Sequence, residues 1–178
     1  REFFQNFNPA EYPMVKFRID TNGQLLTKET WQTLLPKIHD RIKIIAISVD
    51  AATARTYPTI RRGGDFERLM KNMEFISKLP QRKNGMQFWI RLIIQKKNYQ
   101  EMKQFVQLGK KLKVDQVIFS TLSNWGTFTD KEYKDHAIHI PTHPDHHQFI
   151  DILKDPVFKD PIVDMGNITN YFNEINSN

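Results

Sequence analysis

The stretch ISVDAATARTYPTIRRGGDFERLMKNMEFI, residues 47–76, decides the fold of this chain. It starts inside a continuous apolar run, residues 44–49, which predicts a strand whose two faces are both covered. It ends in a predicted helix that Asp65 caps after two glycines and that Pro80 terminates. The apolar stripe of that helix consists of Phe66, Leu69, Met70, Met73 and Ile76. A buried strand, a loop and an amphipathic helix together make one unit of a parallel α/β fold.

The same alternation of strand and helix continues on both sides of this stretch. Further strands are predicted at residues 15–19, 87–94 and 116–120. The preceding helix is predicted from one apolar face formed by Trp31, Leu34, Leu35 and Ile38. The following helix is predicted to open in a capping box of Asn98 and Glu101, with an inner face of Met102, Phe105, Val106 and Gly109. The order β-α-β-α-β-α-β predicts a parallel sheet, and the pattern alone allows a doubly wound sheet or a barrel.

Regular periodicity fades after Ser120. Residues 121–147 contain five histidines and show no clear period, and a short helix is expected at residues 149–153. Loops are expected around Pro156, Pro161 and Gly166, and a frayed polar tail at residues 167–178. We therefore divide the chain into an α/β part with four βα-type units, residues 1–130, and an irregular C-terminal extension, residues 131–178.

The composition is that of a globular chain, since 39% of its 178 residues are apolar, enough for a hydrophobic core. No apolar run approaches the roughly 18 residues of a membrane span. The net charge is +6, but the basic residues are dispersed, which favours a solvated surface over a nucleic-acid footprint. The sequence starts at Arg1 rather than at an initiator Met, and its first residues have no features of a secretory signal. We interpret Arg1 as a cut end and expect a cytoplasmic protein that extends upstream.

Cysteine is absent from the chain. This excludes disulfides, thiolate nucleophiles and cysteine-based zinc or iron–sulfur sites within these residues.

Polar residues follow each predicted strand. In parallel α/β folds ligands collect at the carboxyl ends of the strands. The groups expected there are Asp20-Thr21-Asn22, Ser48 with Asp50, Gln95, and Ser120-Thr121. Such a ring of hydroxyls, amides and an acid suits a polar ligand such as a ribose or an amino acid. Each residue taken alone is also an ordinary turn or cap residue.

Residues 47–76 resemble the radical S-adenosylmethionine (SAM) family, in which a strand ending in Ser-x-Asp is followed by Ala-Thr, Tyr and an Ile-Arg-Arg-Gly-Gly run. Here these are Ser48, Asp50, Tyr57 and residues 60–64. Four further segments are similar to segments of the same family: TNGQLL (21–26), IIQKKNYQE (93–101), residues 119–126 and PTHPDHHQFIDIL (141–153). The resemblance spans residues 13–165.

The resemblance implies a partial parallel (β/α) barrel of which this chain holds strands three to six. It implies that the full-length enzyme cleaves SAM at a [4Fe–4S] cluster to start hydrogen abstraction from a substrate. Ser48 and Asp50 would then face the ribose or methionine part of SAM, and Arg61 would pair with its carboxylate. Thr21 and Asn22 would line the same cavity, and Gln95 is a further candidate. The resemblance names no catalytic residue in this chain.

The chain departs from the family pattern because the three cluster cysteines, C-x3-C-x2-C, belong upstream of its first strand. We therefore expect no cluster, SAM or metal bound to this chain alone, no radical activity, and self-association through exposed sheet edges. An alternative is a cluster-free scaffold that serves as a binding domain. The substrate stays open among peptides, sugars and cofactor precursors.

The clustered histidines allow two interpretations. His136, His139, His143, His146 and His147 lie near Asp135 and Asp145, a density that would suit zinc or nickel. Their spacing matches no known ligand pattern, which favours surface histidines. Likewise, the Arg61-Arg62-Gly63-Gly64 run before a helix fits either a phosphate site or a charged turn. A Ser-His-Asp hydrolase is disfavoured because no G-x-S-x-G elbow is present.

Overall fold

A computed structural model of the chain describes residues 6–34 and 36–177. The strands are β1 Phe17–Thr21, β2 Ile42–Ser48, β3 Gln87–Ile94, β4 Gln116–Thr121 and β5 Val163–Asp164. The α-helices are α1 Lys28–Leu34, α2 Tyr57–Ile60, α3 Phe66–Ser77, α4 Met102–Leu112, α5 Asp130–His136, α6 His146–Leu153 and α7 Thr169–Asn176. Short 3-10 helices are formed by Pro36–Arg41, Pro80–Asn84, Tyr99–Glu101, Pro156–Lys159 and Gly166–Ile168. No helix in the described part of the chain is long and apolar enough to cross a membrane.

The five strands form one sheet in the order β1-β2-β3-β4-β5, and every neighbouring pair is parallel. Spatial order therefore equals sequence order. A doubly wound sheet reverses its strand order at a switch point, whereas a barrel wall does not. The fold is α/β, a partial parallel (β/α) barrel, which confirms the fold class expected from the sequence and decides between the two open arrangements.

The core lies between the sheet and the helices. Alternate side chains of the central strands point into it and are fully buried, such as Ile47, Ile90 and Phe119. Burying each such side chain stabilises the fold by about 1.5–3 kcal/mol. Helix α4 packs close to β4 at Gly109, where a Cβ atom would lie 2.4 Å from Val117 Cγ2. The predicted inner face of this helix is confirmed, because Met102, Phe105, Val106 and Gly109 are all buried.

The first predicted helix is shorter than its apolar pattern indicates. Helix α1 ends at Leu34, and Ile38 is instead buried from the 3-10 helix Pro36–Arg41. Proline at position 36 explains the break, because it lacks an N–H and clashes with the preceding turn. Leu35 lies outside the described residues. The first strand also starts later than predicted, at Phe17 rather than Val15.

The C-terminal part is more ordered than the sequence pattern predicts. Strand β5 was not predicted, because two residues are too few to show a period. Helix α7 replaces the predicted frayed tail, and Ile168 and Phe172, four residues apart, anchor it in the core. Buried residues from β5 onwards join the same hydrophobic cluster as the strands. Residues 131–177 therefore contain helices and a short strand of the sheet.

Candidate functional site

Asp50 is the buried centre of the predicted site. It follows β2 directly and takes a left-handed backbone conformation, φ 61°, which Asp tolerates better than most residues. Its Oδ1 accepts the Ile93 N–H at 2.8 Å and its Oδ2 pairs with Arg61 Nη2 at 2.6 Å. Burial raises the pKa of Asp50, and the Arg61 charge and the Ile93 N–H oppose that rise. The carboxylate joins the end of β2 to β3 and to Arg61.

Arg61 is the exposed partner in this pair. It follows the short helix α2, and its side chain is 33% exposed, against 6% for Asp50. Its Nε is buried and has no hydrogen-bond partner among the described residues. A guanidinium that is held by one nitrogen and has another nitrogen unsatisfied is suited to bind an oxyanion.

A polar cavity of about 480 Å³ opens in front of Arg61. Its lining residues include Arg61, Arg62 and Arg68 and no Asp or Glu, so it favours anions. The remaining lining residues are Asn22, Gln24, Tyr57, Ile60, Gly63 and Gly64. Glycine is required at position 64, because a Cβ atom there would lie 2.6 Å from the Tyr57 ring.

Gln24 fixes one wall of this cavity. Its amide donates to the Tyr57 hydroxyl at 3.0 Å and to the Asp65 carbonyl at 2.9 Å. Burial raises the pKa of Tyr57, so the phenol stays protonated at neutral pH. Asp65 caps α3 as predicted, accepting the Arg68 N–H at 3.0 Å. The sequence gives no signal for the role of Gln24 beyond its position after the Thr-Asn-Gly turn.

The predicted capping box of Asn98 and Glu101 is wrong. Asn98 makes no side-chain cap hydrogen bond to the following helical turn. Its amide donates to the carbonyls of Asp50 at 2.9 Å and Ile93 at 2.8 Å, and its Oδ1 accepts the Gln95 N–H at 2.8 Å. Buried at 1% exposure, Asn98 ties the end of β3 to the loop that follows β2.

Glu101 braces the same loop. Its carboxylate accepts the Ala52 N–H at 2.7 Å, the Thr53 hydroxyl at 2.7 Å and the Thr56 hydroxyl at 2.5 Å. The three-residue spacing of a capping box is present, but the partners of Glu101 lie 45 to 49 positions earlier in the chain. Sequence spacing cannot distinguish these two uses of the same residues. Asn98 and Glu101 both hold the loop that follows β2, whereas the sequence pattern predicted that they cap a helix.

The structure brings together only part of the predicted set. Asn22 and Arg61 line the cavity, and Asp50 supports Arg61 from behind. Thr21 accepts the Gly23 N–H at 3.1 Å in a local turn, and Gln95 contributes backbone groups to Asn98 and Tyr99. Ser48, the last residue of β2, does not line this cavity. The ligand roles of all six residues stay predictions.

The histidines make separate contacts rather than one cluster. His143 Nε2 lies 3.0 Å from the Asp135 carbonyl, and His146 lies 2.9 Å from the Tyr171 hydroxyl. Burial lowers the pKa of His139, and the nearby His146 lowers it further. Within residues 6–34 and 36–177, no three His, Asp or Glu side chains gather in a way that would hold a metal ion. The metal interpretation of the histidines therefore has no geometric support.

The geometry defines a parallel α/β barrel wall with an anion-favouring cavity at the carboxyl ends of its first strands. Comparisons with protein-family models and with curated proteins find no match. Among solved structures, the chain is similar to that of TYW1 with a lysine-pyruvate adduct bound, at a TM-score of 0.55 and 15% sequence identity. The match covers 89% of this chain and 44% of the TYW1 chain, so this chain spans less than half of that protein. At this identity the similarity shows the fold.

Proposed function

We propose that this chain is the C-terminal portion of a radical SAM enzyme and that Arg61 binds the SAM carboxylate. The observation that carries the proposal is the Asp50–Arg61 pair at 2.6 Å, at the strand end where the family resemblance is most specific. The chain shares part of its fold with TYW1, solved with a lysine-pyruvate adduct bound. Its similarity supports a barrel of this type but not a particular reaction.

The residues of the cavity fit the methionine end of SAM. The buried Arg61 Nε lacks a partner among the described residues, and a carboxylate would satisfy it. Asp50 holds the guanidinium at Nη2, and the Arg61 side chain, which is 33% exposed, lines the cavity. Asn22 at the cavity wall offers an amide. Ser48, Thr21 and Gln95 are proposed to contact other parts of SAM, on the strength of the resemblance alone.

The residues of this chain do not fit a [4Fe–4S] cluster. The chain contains no cysteine, and no three His, Asp or Glu side chains in its described part form a metal site. We therefore propose that the cluster ligands lie elsewhere in the full protein and that this chain alone has no radical activity. When bound, the cluster supplies reductive cleavage of SAM, which starts hydrogen abstraction from the substrate.

The setting and the partners belong to the same proposal. A cytoplasmic location suits an enzyme that depends on reduced thiolates and an iron–sulfur cluster. The substrate is a peptide, a sugar or a cofactor precursor. Self-association of the isolated chain through exposed sheet edges also remains a prediction.

The test is to read the source gene upstream of Arg1 and to express the longer protein. We expect a C-x3-C-x2-C motif, a reconstituted iron–sulfur signal in electron paramagnetic resonance, and 5′-deoxyadenosine formation from SAM and reductant. The 178-residue chain, reconstituted in parallel, should form no 5′-deoxyadenosine. An open upstream frame without the motif would overturn the enzyme proposal and leave the cluster-free binding scaffold.

A further inference from the structure

The second face of the sheet, opposite the helices, carries charged side chains. In a closed parallel barrel this face is the interior and is filled mainly by branched apolar residues. Here the outermost strand places Arg18 and Asp20 on it, and β3 places Trp89 and Arg91 on it, as their partial exposure and the alternation along each strand indicate. A polar interior face is typical of a wall that meets a ligand rather than a packed core.

The small side chain of Ala46 lets β1 and β3 meet across β2. Asp20, Ala46 and Trp89 are in register on three adjacent strands. Above Ala46, Arg91 Nη1 reaches Asp20 Oδ1 at 2.7 Å, and the Arg18 guanidinium lies 4.9 Å from the Trp89 ring centroid. Ala46 is itself only 1% exposed, so these four side chains cover it.

Arg91 is the cation of this group with unused donors. Arg18 already binds Asp20 through two nitrogens, Nε at 2.8 Å and Nη2 at 3.2 Å. Asp20 therefore shares one carboxylate between two guanidinium groups. The contact with Asp20 is the only polar contact that Arg91 makes through its side chain within residues 6–34 and 36–177. Its side chain is 28% exposed.

The surroundings of Arg91 fit an oxyanion. Ser48 is its register neighbour on β2, and the Ser48 hydroxyl makes no hydrogen bond to any described residue. The other acid on this face, Asp164 on β5, is engaged by the Gly166 N–H at 2.8 Å. A guanidinium with unused donors matches the geometry of a carboxylate or a phosphate.

We propose that Arg91 binds an anionic substrate group, a carboxylate or a phosphate, on the second face of the sheet. This site is separate from the Arg61 cavity, which Arg91 does not line. The proposal rests on the proposed function only in assigning the anion to the substrate. Binding of the anion itself needs neither SAM nor a cluster.

The test uses the 178-residue chain labelled with ¹⁵N and titrated at constant ionic strength, with chloride as the balancing anion. Inorganic phosphate is one probe and acetate the other, so the two titrations distinguish the phosphate from the carboxylate. We expect saturable shifts of the Trp89 indole N–H and of the Ser48 and Arg91 amides with at least one probe. The absence of saturable shifts with both probes would overturn the site.

Three variants sharpen the test. R91Q should weaken anion binding by about tenfold or more, as expected for losing a charge-assisted pair of hydrogen bonds. R82Q is the matched control, because Arg82 is also ion-paired, with Asp115 at 2.8 Å, and lies over the Phe88 ring. D20N should tighten binding, since it removes the competing carboxylate.

Unchanged affinity in R91Q, or weaker affinity in D20N, contradicts the proposal. If R91Q does not fold, which the spectrum itself reveals, D20N carries the test. Failure of this titration leaves 5′-deoxyadenosine formation by the longer protein untouched, and the reverse also holds. The two proposals can therefore fail separately.

Discussion

Two Asp–Arg pairs of nearly equal length stand in contrasting surroundings. Asp50 and Arg61 meet at 2.6 Å with the Asp50 side chain 6% exposed, whereas Asp20 and Arg91 meet at 2.7 Å with the Asp20 side chain 47% exposed. The first carboxylate also satisfies a buried backbone N–H, and the loop that carries it is braced by Asn98 and Glu101. The second is shared between two cations in contact with solvent.

The contrast teaches that contact distance does not set the role of an ion pair. Removing one partner of a buried pair leaves an uncompensated group in a low-dielectric site, which is costly. An exposed pair contributes about 0–1 kcal/mol, so its members can change partners at little cost. We therefore propose that Asp50 positions Arg61, whereas Arg91 can exchange its contact with Asp20 for a contact with a ligand.

The largest expected effect is on stability at Asp50. D50A should lower the free energy of unfolding by about 3 kcal/mol, because the Ile93 N–H and Arg61 lose their partner and alanine is strained at positive φ. D20A should lower it by less than about 1 kcal/mol. Urea denaturation measures both values.

D50N refines that comparison. Asparagine keeps an acceptor for the Ile93 N–H, tolerates the left-handed conformation and avoids burying a charge. It should therefore lose less than half of what D50A loses. Equal losses in D50A and D20A would remove the distinction between the two pairs.

The second effect concerns the brace from Glu101. The Glu101 carboxylate accepts three hydrogen bonds, and E101Q places N–H groups against two of the same donors, the Thr53 and Thr56 hydroxyls. We therefore expect the free energy of unfolding to fall by about 2 kcal/mol. Amide hydrogen exchange should rise across residues 50–61 while the strand β3 stays protected. E132Q is the control, because Glu132 lies in an exposed capping box of α5. Faster exchange spread over the whole sheet would show that Glu101 is a general core residue instead.

The smallest expected effect is a pH dependence of stability that comes from His139, a residue outside both ion pairs. Burial lowers the pKa of His139 below its ordinary value of 6.5. The unfolded chain therefore binds a proton that the folded chain resists, so stability is lost as pH falls below about 6.5 towards the folded pKa. In H139Q the urea midpoint should change less between neutral and mildly acidic pH than it does in the parent protein. An identical acid response in H139Q would assign the dependence to another group.

The regular parts of the fold could be predicted from the sequence because their periods are long and clean. Strand β3 has the predicted bounds, Gln87–Ile94, and α3 begins after the predicted cap Asp65. The barrel wall was expected from the family resemblance and not from the periodicity, because strand order is a long-range property. The two-residue strand β5 was missed because it is too short to carry a pattern.

For the site, the sequence allowed prediction of the candidate residues but not of the contacts between them. Ser48, Asp50 and Arg61 stand out in the sequence, but the pairing of Asp50 with Arg61 depends on how the loop between them closes. Asn98 and Glu101 have the spacing of a helix cap, but their side chains bond to the loop after β2 and not to their own helix. The contact of Asp20 with Arg91 depends on the small residue Ala46 of a third strand, which no local pattern reveals.

The central claim, that Arg61 binds the SAM carboxylate, is tested most directly by steady-state kinetics of the longer protein. Formation of 5′-deoxyadenosine should be measured against SAM concentration for the parent, R61Q and R55Q, since Arg55 is an exposed arginine of the same loop outside the cavity. We predict that R61Q raises the KM for SAM by about tenfold or more while R55Q matches the parent. An unchanged KM in R61Q, with the protein folded and its cluster intact, would contradict the account.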